Sequence, residues 1–342
     1  MKAYKLSIGR GVIYQVEKML NKAGIKGKIM YISDPNVDEL YGECVKSQLE
    51  KIGTFRAEYV IYHSIAYADS LAKIIRDENI CCIVGLGGGS VLDVCKYVSY
   101  ITKRTLMLIP TTAANDGIAS TIAVLKEENG KPKSIMCARA SMILIDTELI
   151  YRAPVQLIKA GIGDILSNHM ALLDWRLAYE RGKDTINGYA YLMSKNAIDT
   201  IMQSKHKKIC IEFVDDLVNA HVLSGFAMDF EKSSRPVSGS EHLFSHALDF
   251  YSDVKNLHGI QTGLGTIAIL KMIGEEYSEL LECFKRYEVD INPIHLGIDE
   301  DTFVFCMQHA TQMRQGRYTY LHEIDLCEEG LRKVYKELVE EL

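Results

Sequence analysis

The sequence predicts an α/β N-terminal domain, with a parallel sheet and helices on both faces, followed by an all-α C-terminal helical domain. Short apolar runs alternate with amphipathic stretches before Asp146, which is typical of βαβ units. After Pro154 the chain is rich in helix formers and poor in strand signals. The length of 342 residues fits two domains at about 150 residues each. We predict domains 1–150 and 151–342.

The strands of the first domain are predicted from apolar runs bounded by Gly, Pro or Asp, as in buried parallel strands. These runs are Lys28–Ser33, Glu58–Tyr62, Cys81–Leu86, Leu106–Ile109 and Met142–Ile145. Helical patterns over Val37–Ile52 and Ala66–Asp77 separate the early runs. Between Ile118 and Met142, two short segments flank the glycine-containing turn EENGKPK, which predicts a hairpin.

The second domain is predicted to be a helix bundle. Its helical patterns cover Ile162–Arg181, Tyr189–Met202 and Cys210–Leu223. The sequence shows neither an internal repeat nor a flexible linker between the halves. We therefore expect the two domains to pack with a cleft between them.

Composition narrows the class of protein. The formal net charge of −6 does not favour a strongly basic nucleic-acid face, and no apolar run has the roughly 18 residues of a membrane span. The N-terminus lacks the apolar segment of a signal peptide. Nine cysteines without a C-x-x-C pair indicate reduced thiols in a cytoplasmic protein. We expect a cytoplasmic enzyme without nucleic-acid or membrane partners.

A glycine-rich loop lies between a predicted strand and a predicted helix in CCIVGLGGGSVLDVCK. Glycines let the backbone approach a phosphate, which then meets the free amides at the helix start. Ser90 stands where a G-x-G-x-x-G motif has its last glycine, and the loop follows about the fourth strand instead of the first. The alternative is a tight turn whose glycines serve packing. Asp34, after an earlier strand, either receives cofactor ribose hydroxyls or caps the next helix.

A carboxylate and several histidines form a possible metal site. His242 and His246 are four residues apart on a predicted helix and share one face. His258 follows in NLHGIQTGLG, and Asp164 lies at a predicted helix start in AGIGDILSNH. Two imidazoles and a carboxylate form a typical catalytic set for a divalent metal.

Two further histidines, His169 and His221, remain alternative ligands at this point. The H-E-x-x-H motif of zinc peptidases is absent, because Leu243 follows His242. Metal-assisted peptide hydrolysis is therefore not favoured.

Several motifs together resemble the superfamily of the iron-containing alcohol dehydrogenases and dehydroquinate synthases. They are GGGSVLDVCK, PTTAANDGIAS, GIGD, RPVSGSEHLFSHALDF and the His-Gly pair at 258–259, in this order and at matching intervals. The similarity extends over essentially the whole chain. Within this family, SRPVSGSEHLFSHALDF is most similar to the sn-glycerol-1-phosphate dehydrogenase branch, with the glycerol dehydrogenases next.

The resemblance implies an N-terminal nucleotide-binding α/β domain, a C-terminal helical domain that binds a metal, and an active site in the cleft between them. It implies Asp164, His242 and His258 as metal ligands, His246 as a proton-handling group beside the metal, and Asp116 as a substrate contact. The implied cofactor-binding residues are Gly87, Gly88, Gly89, Asp93, Thr111, Thr112 and Ser120. The analysis of the glycine-rich loop and of the strand before it adds Ser90 and Asp34 as cofactor-binding candidates.

The resemblance further implies NAD or NADP and one divalent metal as cofactors. Asp34 would repel the 2′-phosphate of NADP, which favours NAD. Some iron-dependent members carry a second histidine four residues after the metal aspartate. Here that position is Asn168, which favours a three-ligand site for zinc, with nickel and iron also possible. Thr121 departs from the proline of this branch, so the substrate pocket differs there.

The implied reaction interconverts sn-glycerol 1-phosphate and dihydroxyacetone phosphate by hydride transfer at the secondary carbinol. Arg235, Lys131 and Lys133 are candidate cations for the substrate phosphate. The alternatives are a glycerol or other polyol dehydrogenase, a lyase or cyclase related to dehydroquinate synthase, and a non-catalytic metal- or nucleotide-binding protein. The N-F-G-H-T segment of dehydroquinate synthases is replaced by SGSEHLFSH, which disfavours the cyclase. Relatives suggest a homo-oligomer.

Overall fold

The computed structural model describes residues 5–342, which divide into two units. The first unit contains the chain up to Ala113 and the segment Gly117–Val155. The second contains Ala114–Asp116 and Gln156–Leu342. The division thus follows Val155, and a short segment around Asp116 belongs with the helical unit.

The first unit is built on a parallel sheet of order β1-β8-β5-β4-β2-β3. Its strands are β1 Lys5–Gly9, β2 Ile29–Ser33, β3 Phe55–Tyr59, β4 Cys82–Gly87, β5 Thr105–Pro110 and β8 Met142–Asp146. The antiparallel pair β6 Ile122–Lys126 and β7 Pro132–Met136 forms the predicted hairpin. Every residue of β2, β4 and β8 is buried, which explains their continuous apolar runs.

Helices connect the strands of the first unit and make up most of the second. The first unit has α1 Val16–Lys22, α2 Pro35–Val37, α3 Glu43–Glu50, α4 Ile65–Asp77, α5 Gly89–Thr102 and α6 Thr147–Tyr151. The second has α7 Val155–Glu180, which begins at the division, α8 Gly188–Met202, α9 Ile211–Glu231, α10 Ser240–Tyr251, α11 His258–Ile273, α12 Ser278–Arg286, α13 Glu300–His309 and α14 Glu328–Glu341. None of the helices in residues 5–342 has the length and apolarity needed to cross a membrane.

The edges of the sheet are where the strand predictions were wrong. Strand β3 covers Phe55–Tyr59, earlier than the predicted run, because it is an edge strand with no fully buried residue. The apolar side chains of Ile61 and Tyr62, which suggested the later position, are exposed beyond its end. Strand β1 was missed because KLSIG is an edge strand of half-buried residues and has no continuous apolar run.

The strand order reverses between β2 and β4. From β2 the chain proceeds outward to β3, whereas from β4 it proceeds in the opposite direction to β5. In open α/β sheets, ligands bind outside the carboxyl ends of the strands at such a switch point. Asp34 directly follows β2 and Gly88 directly follows β4, so the fold brings these two predicted residues to neighbouring strand ends.

Candidate functional site

The glycine loop presents the uncapped start of a helix. Gly87 ends β4, Gly88 is the N-cap residue of α5, and no side chain caps this helix. The first amides of a helix have no partner within it, and the helix dipole favours negative charge there. Gly88 and Gly89 are half-buried and Ser90 is exposed, so these amides lie where an anion can reach them.

Packing explains some of these glycines and not others. A Cβ atom on Gly85 would lie 2.5 Å from the Cys95 sulfur, and one on Gly87 would lie 2.7 Å from the Val91 Cβ. At Gly88 the nearest atom would be Thr112 Oγ1, at an ordinary 3.4 Å. The packing interpretation therefore holds for Gly85 and Gly87, whereas Gly88 leaves space beside Thr112 that a side chain would fill.

Thr111 and Asp34 complete this edge of the sheet. The Thr111 amide donates to the Gly87 carbonyl at 3.1 Å, and the buried Thr111 Oγ1 has no hydrogen-bond partner among the described residues. Asp34 caps α2, because its Oδ1 accepts from the Asn36 and Val37 amides at 3.1 and 3.0 Å. The capping interpretation of Asp34 is thus realised through one carboxylate oxygen.

Asp93 and Ser120 hold a lysine that the sequence analysis did not single out. Lys96 is buried on α5, and its Nζ lies 3.2 Å from Asp93 Oδ1, 3.0 Å from Ser120 Oγ and 3.0 Å from the Ile122 carbonyl. The second Asp93 oxygen accepts from the Val124 amide at 3.0 Å. Both predicted cofactor residues therefore join α5 to β6. The sequence did not indicate that Lys96 is buried, because lysines in amphipathic helices usually lie on the exposed face.

In the second unit, two glycines allow α7 and α11 to cross in backbone contact. A Cβ atom on Gly163 would lie 2.1 Å from the Gly259 carbonyl oxygen, and one on Gly259 would lie 1.8 Å from the Ala160 carbonyl oxygen. Asp164 and His258 directly adjoin these glycines. The crossing therefore places side chains from distant parts of the chain next to each other.

The crossing and helix α10 bring Asp164, His242 and His258 together. His242 Nε2 lies 3.9 Å and His258 Nε2 lies 3.7 Å from Asp164 Oδ1. One ligand atom from each residue lies within 4.8 Å of the others. Two imidazole nitrogens and a carboxylate oxygen at this spacing fit a single divalent ion with open positions for a substrate.

Hydrogen bonds orient both imidazoles so that Nε2 faces Asp164. His242 Nδ1 lies 2.7 Å from Oε1 of the fully buried Glu241. His258 Nδ1 lies 3.0 Å from Ser245 Oγ, which itself donates to Gln261 Oε1 at 2.7 Å. Because the serine hydroxyl proton is used there, Nδ1–H of His258 is the donor and Nε2 keeps its lone pair. Such partners are typical of metal-binding histidines.

Burial also prepares the three side chains for a cation. Burial, together with the charges of Arg317 and Arg314, lowers the pKa of His242 to about 3, and burial with the charge of His242 lowers the pKa of His258 to about 3. Both rings are therefore neutral, as a metal ligand must be. Burial and the nearby Asp116 hold the pKa of Asp164 well above its usual range, an effect that a bound cation would reverse.

Two further predicted residues adjoin this group. The Asp116 amide donates to Asp164 Oδ2 at 2.9 Å. The His246 ring centroid lies 6.3 Å from that of His242 and 6.0 Å from that of His258. Asn168, at the position of a fourth ligand in some relatives, is instead buried against α9 and donates to Ser224 Oγ at 2.9 Å. The structure thus brings together Asp116, His246 and the three potential ligands.

The alternative histidines lie apart from this group. His169 lines a separate cavity of about 570 Å³ with Arg176 and Glu276, and His221 is fully buried within α9. The sequence analysis missed Glu241 and Ser245, although both stand within the SEHLFSH motif. Their only signal was position, since Glu241 directly precedes His242 and Ser245 lies three residues after it.

We expect Glu241→Gln to lower metal affinity about 10-fold, because the amide keeps an oxygen for Nδ1 of His242 but loses the charge that makes the ring a stronger ligand. Competitive titration with a metal-sensitive dye measures the change. Glu329→Gln, at an exposed position in α14, is the matched control. Equal affinities in the two variants would contradict a role for Glu241 in tuning His242.

The three candidate phosphate cations lie in different surroundings. Lys131 and Lys133 adjoin the β6–β7 hairpin, where the exposed Lys133 pairs with Glu127 at 2.8 Å. Arg235 is buried in the second unit, where its Nε lies 2.8 Å from Asp184 Oδ2 and its Nη2 donates to the Tyr318 carbonyl at 2.7 Å. Only Arg235 therefore shares the unit that holds the potential metal ligands.

Sequence comparison places the chain among dehydrogenases. Residues 7–154 match the family described as iron-containing alcohol dehydrogenase. Over 335 residues, covering 96% of this chain and 95% of the relative, it is 34% identical to the glycerol-1-phosphate dehydrogenase (NAD(P)+) of Hyperthermus butylicus. It is 32% identical to the protein of the same name from Thermococcus kodakarensis, with 96% and 94% coverage.

Solved structures share the fold at lower identity. A probable glycerol dehydrogenase from Sinorhizobium meliloti superposes with a TM-score of 0.79 at 19% identity, covering 99% of this chain and 97% of that one. The glycerol dehydrogenase of Schizosaccharomyces pombe gives 0.78 at 18% identity, with 99% and 89% coverage. The near full-length sequence matches and the shared fold lead to one assignment: this chain belongs to the iron-containing alcohol dehydrogenase family, in the branch of the glycerol-1-phosphate dehydrogenases.

Proposed function

We propose that this oxidoreductase interconverts sn-glycerol 1-phosphate and dihydroxyacetone phosphate by transferring a hydride between the secondary carbinol carbon and a nicotinamide cofactor. The observation that carries the proposal is the convergence of Asp164, His242 and His258, with Asp116 and His246 beside them, in a chain whose relatives are named for this activity. Residues 1–150 would bind the cofactor and residues 151–342 the metal.

The cofactor would bind at the switch point of the sheet. The uncapped amides of Gly88, Gly89 and Ser90 would receive its pyrophosphate. Thr111 and Thr112 follow the neighbouring strand β5, and Thr112 lies beside Gly88. The free Asp34 oxygen would accept from ribose hydroxyls, which favours NAD over NADP because a 2′-phosphate would meet this charge. Asp93 and Ser120 would act indirectly, by fixing α5 through Lys96. A nicotinamide cofactor bound here would supply the hydride chemistry.

The metal would be held by Asp164, His242 and His258, with Glu241 and Ser245 fixing the two rings. Two imidazoles and one carboxylate suit zinc, nickel and iron alike. We favour zinc because Asn168, where a fourth ligand would stand, is hydrogen-bonded to Ser224 instead. A divalent ion here supplies a Lewis acid that lowers the pKa of a hydroxyl.

The remaining residues would position the substrate and handle its proton. His246, half-buried beside the two ligand histidines, would orient the carbinol hydroxyl and pass its proton to solvent. Asp116 would receive another substrate hydroxyl, since its backbone is fixed beside Asp164. The two groups thus play positioning and proton-transfer roles next to the metal ligands.

The proposal is tested by following NADH absorbance with purified enzyme and a panel of substrates. We expect dihydroxyacetone phosphate to be reduced with a kcat/KM at least about 100-fold above that for dihydroxyacetone, since a phosphate contributes charge-assisted hydrogen bonds. Chelation should abolish the reaction, and zinc should restore it. Equal turnover of the free and phosphorylated substrates would favour a polyol dehydrogenase, and full activity of demonstrably metal-free enzyme would exclude the metal role.

A further inference from the structure

Three arginines of the second unit gather around one serine. Ser234 Oγ accepts from Arg314 Nη1 at 2.7 Å and from Arg317 Nη2 at 3.0 Å. Arg235 follows Ser234 directly in the chain, and its charge acts on both other guanidinium groups. We call Arg235, Arg314 and Arg317 the arginine cluster.

The negative charge around the arginine cluster does not compensate for the burial of its three positive charges. Among residues 5–342, Arg235 pairs with Asp184, whereas the hydrogen bond of Arg314 goes to the neutral Ser234 side chain. Arg317 donates instead to Ser234 and to the Ser238 carbonyl. Nη1 of Arg235 is buried and has no hydrogen-bond partner among the residues that the structure describes. Buried guanidinium groups in this condition favour an anion, which supplies both charge and acceptor oxygens.

The electrostatics of the cluster agree with this geometry. Burial, followed by the charges of Arg314 and Arg235, lowers the pKa of Arg317 to about 9. Burial and the charge of Arg235 likewise lower the pKa of Arg314. The carboxylates whose charges reach Arg317 are Glu241 and Asp184, and these are already engaged with His242 and Arg235, respectively. The cluster therefore retains uncompensated positive charge.

The cluster lies beside the potential metal ligands. Arg317 Nη1 donates to the carbonyl of Ser238, which leads through Gly239 into α10, the helix that carries His242 and His246. The charges of Arg314 and Arg317 also contribute to lowering the pKa of both histidines. An anion bound by the cluster would thus lie near the start of the helix that carries His242 and His246.

We propose that Arg314 binds the phosphate group of the substrate, with Arg317 adding charge and Ser234 positioning both guanidinium groups. Arg314 is the member best suited to contact the ligand, because it is half-buried while Arg235 and Arg317 are almost fully buried. The recognised chemistry is a phosphate monoester at one end of a short polyol. This inference rests on the proposed function. It favours Arg314 over the earlier candidate Arg235, because Arg235 is almost fully buried and its Nε and Nη2 already pair with Asp184 and the Tyr318 carbonyl.

The first test compares substrates in Arg314→Gln. We expect the ratio of kcat/KM for dihydroxyacetone phosphate to that for dihydroxyacetone to fall about 10- to 100-fold, mainly through KM. The same ratio should fall less in Arg314→Lys, because lysine keeps the charge but loses the planar pair of donors. Ser234→Ala should show a smaller loss in the same direction. The preference between NAD and NADP should not change, which separates the substrate phosphate from the cofactor 2′-phosphate.

The second test measures anion binding without catalysis. Inorganic phosphate should raise the melting temperature of the wild-type enzyme, and this rise should be lost in Arg314→Gln, because a ligand stabilises only the state that binds it. Arg152→Gln, an exposed arginine on the first unit, should respond to phosphate like the wild type. If Arg314→Gln does not fold, Arg314→Lys and Ser234→Ala provide the same two measurements.

The outcomes separate this inference from the proposed function. If phosphate stabilises the protein through Arg314 but the enzyme reduces no triose phosphate, the proposed anion site stands and the proposed function is wrong. If Arg314→Gln still reduces dihydroxyacetone phosphate as selectively as the wild type, the proposed function stands and the proposed anion site is wrong. A phosphate response in Arg314→Gln equal to that of the wild type would also overturn the site.

Discussion

Asp164→Asn is expected to lose the bound metal and to lower kcat by about 1,000-fold or more, because several kcal/mol of Lewis-acid stabilisation disappear with the ion. The substitution changes little else. The asparagine side-chain oxygen can still accept from the Asp116 amide, which donates to Asp164 Oδ2 at 2.9 Å. Metal content by mass spectrometry and steady-state kinetics measure the two effects.

Stability distinguishes this effect from misfolding. Asp164 is almost fully buried, so removing its charge relieves a cost of burial in the metal-free protein. We expect metal-free Asp164→Asn to melt at or above the temperature of the metal-free wild type, while zinc stabilises only the wild type. Asp301→Asn, whose side chain is 81% exposed on α13, is the matched control and should keep metal and activity. A full metal complement in Asp164→Asn would exclude Asp164 as a ligand.

The buried parts of the fold could be predicted because burial leaves a pattern in the sequence. The fully buried strands β2, β4 and β8 appear as continuous apolar runs, and the glycine loop stands between a strand and a helix as expected. The edge strands β1 and β3 have no such pattern, because their residues are only half-buried. Predictability therefore follows the local hydrophobic pattern and decreases toward the edges of the sheet.

The candidate metal-binding residues could be predicted from the sequence, whereas the buried residues that contact and orient them could not. The helical spacing placed His242 and His246 on one face. Asp164 and His258 were recognised as candidates by residue type and sequence context, and the family motifs then implied them as ligands. Their proximity depends on tertiary packing, which the sequence reveals only indirectly. For the same reason Lys96, Glu241 and Arg314 could not be predicted, since burial of a charged side chain depends on neighbours from distant segments. The pairing of Arg235, a candidate phosphate cation, with Asp184 likewise depends on tertiary packing and could not be identified from the sequence.

Gly163→Ala tests whether the crossing of α7 and α11 sets the spacing of Asp164 and His258. The added Cβ would lie 2.1 Å from the Gly259 carbonyl oxygen, and backbone cannot move aside as a flexible side chain can. We expect the free energy of unfolding to fall by about 3 kcal/mol, as in overpacked cores, and the metal affinity to fall with it. Chemical denaturation of the metal-free protein and metal titration measure the two quantities.

The control for this prediction is Gly188→Ala at the first position of α8, where an added Cβ meets no atom within 4 Å. This variant should keep its metal affinity, and its stability should be unchanged or higher by up to about 1 kcal/mol, since alanine restricts the unfolded chain. The crossing holds two proposed ligands from different helices at a fixed distance, so Gly163→Ala should bind metal more weakly even under conditions where it is fully folded. Wild-type metal affinity in folded Gly163→Ala would show that the ligand spacing does not depend on this backbone contact.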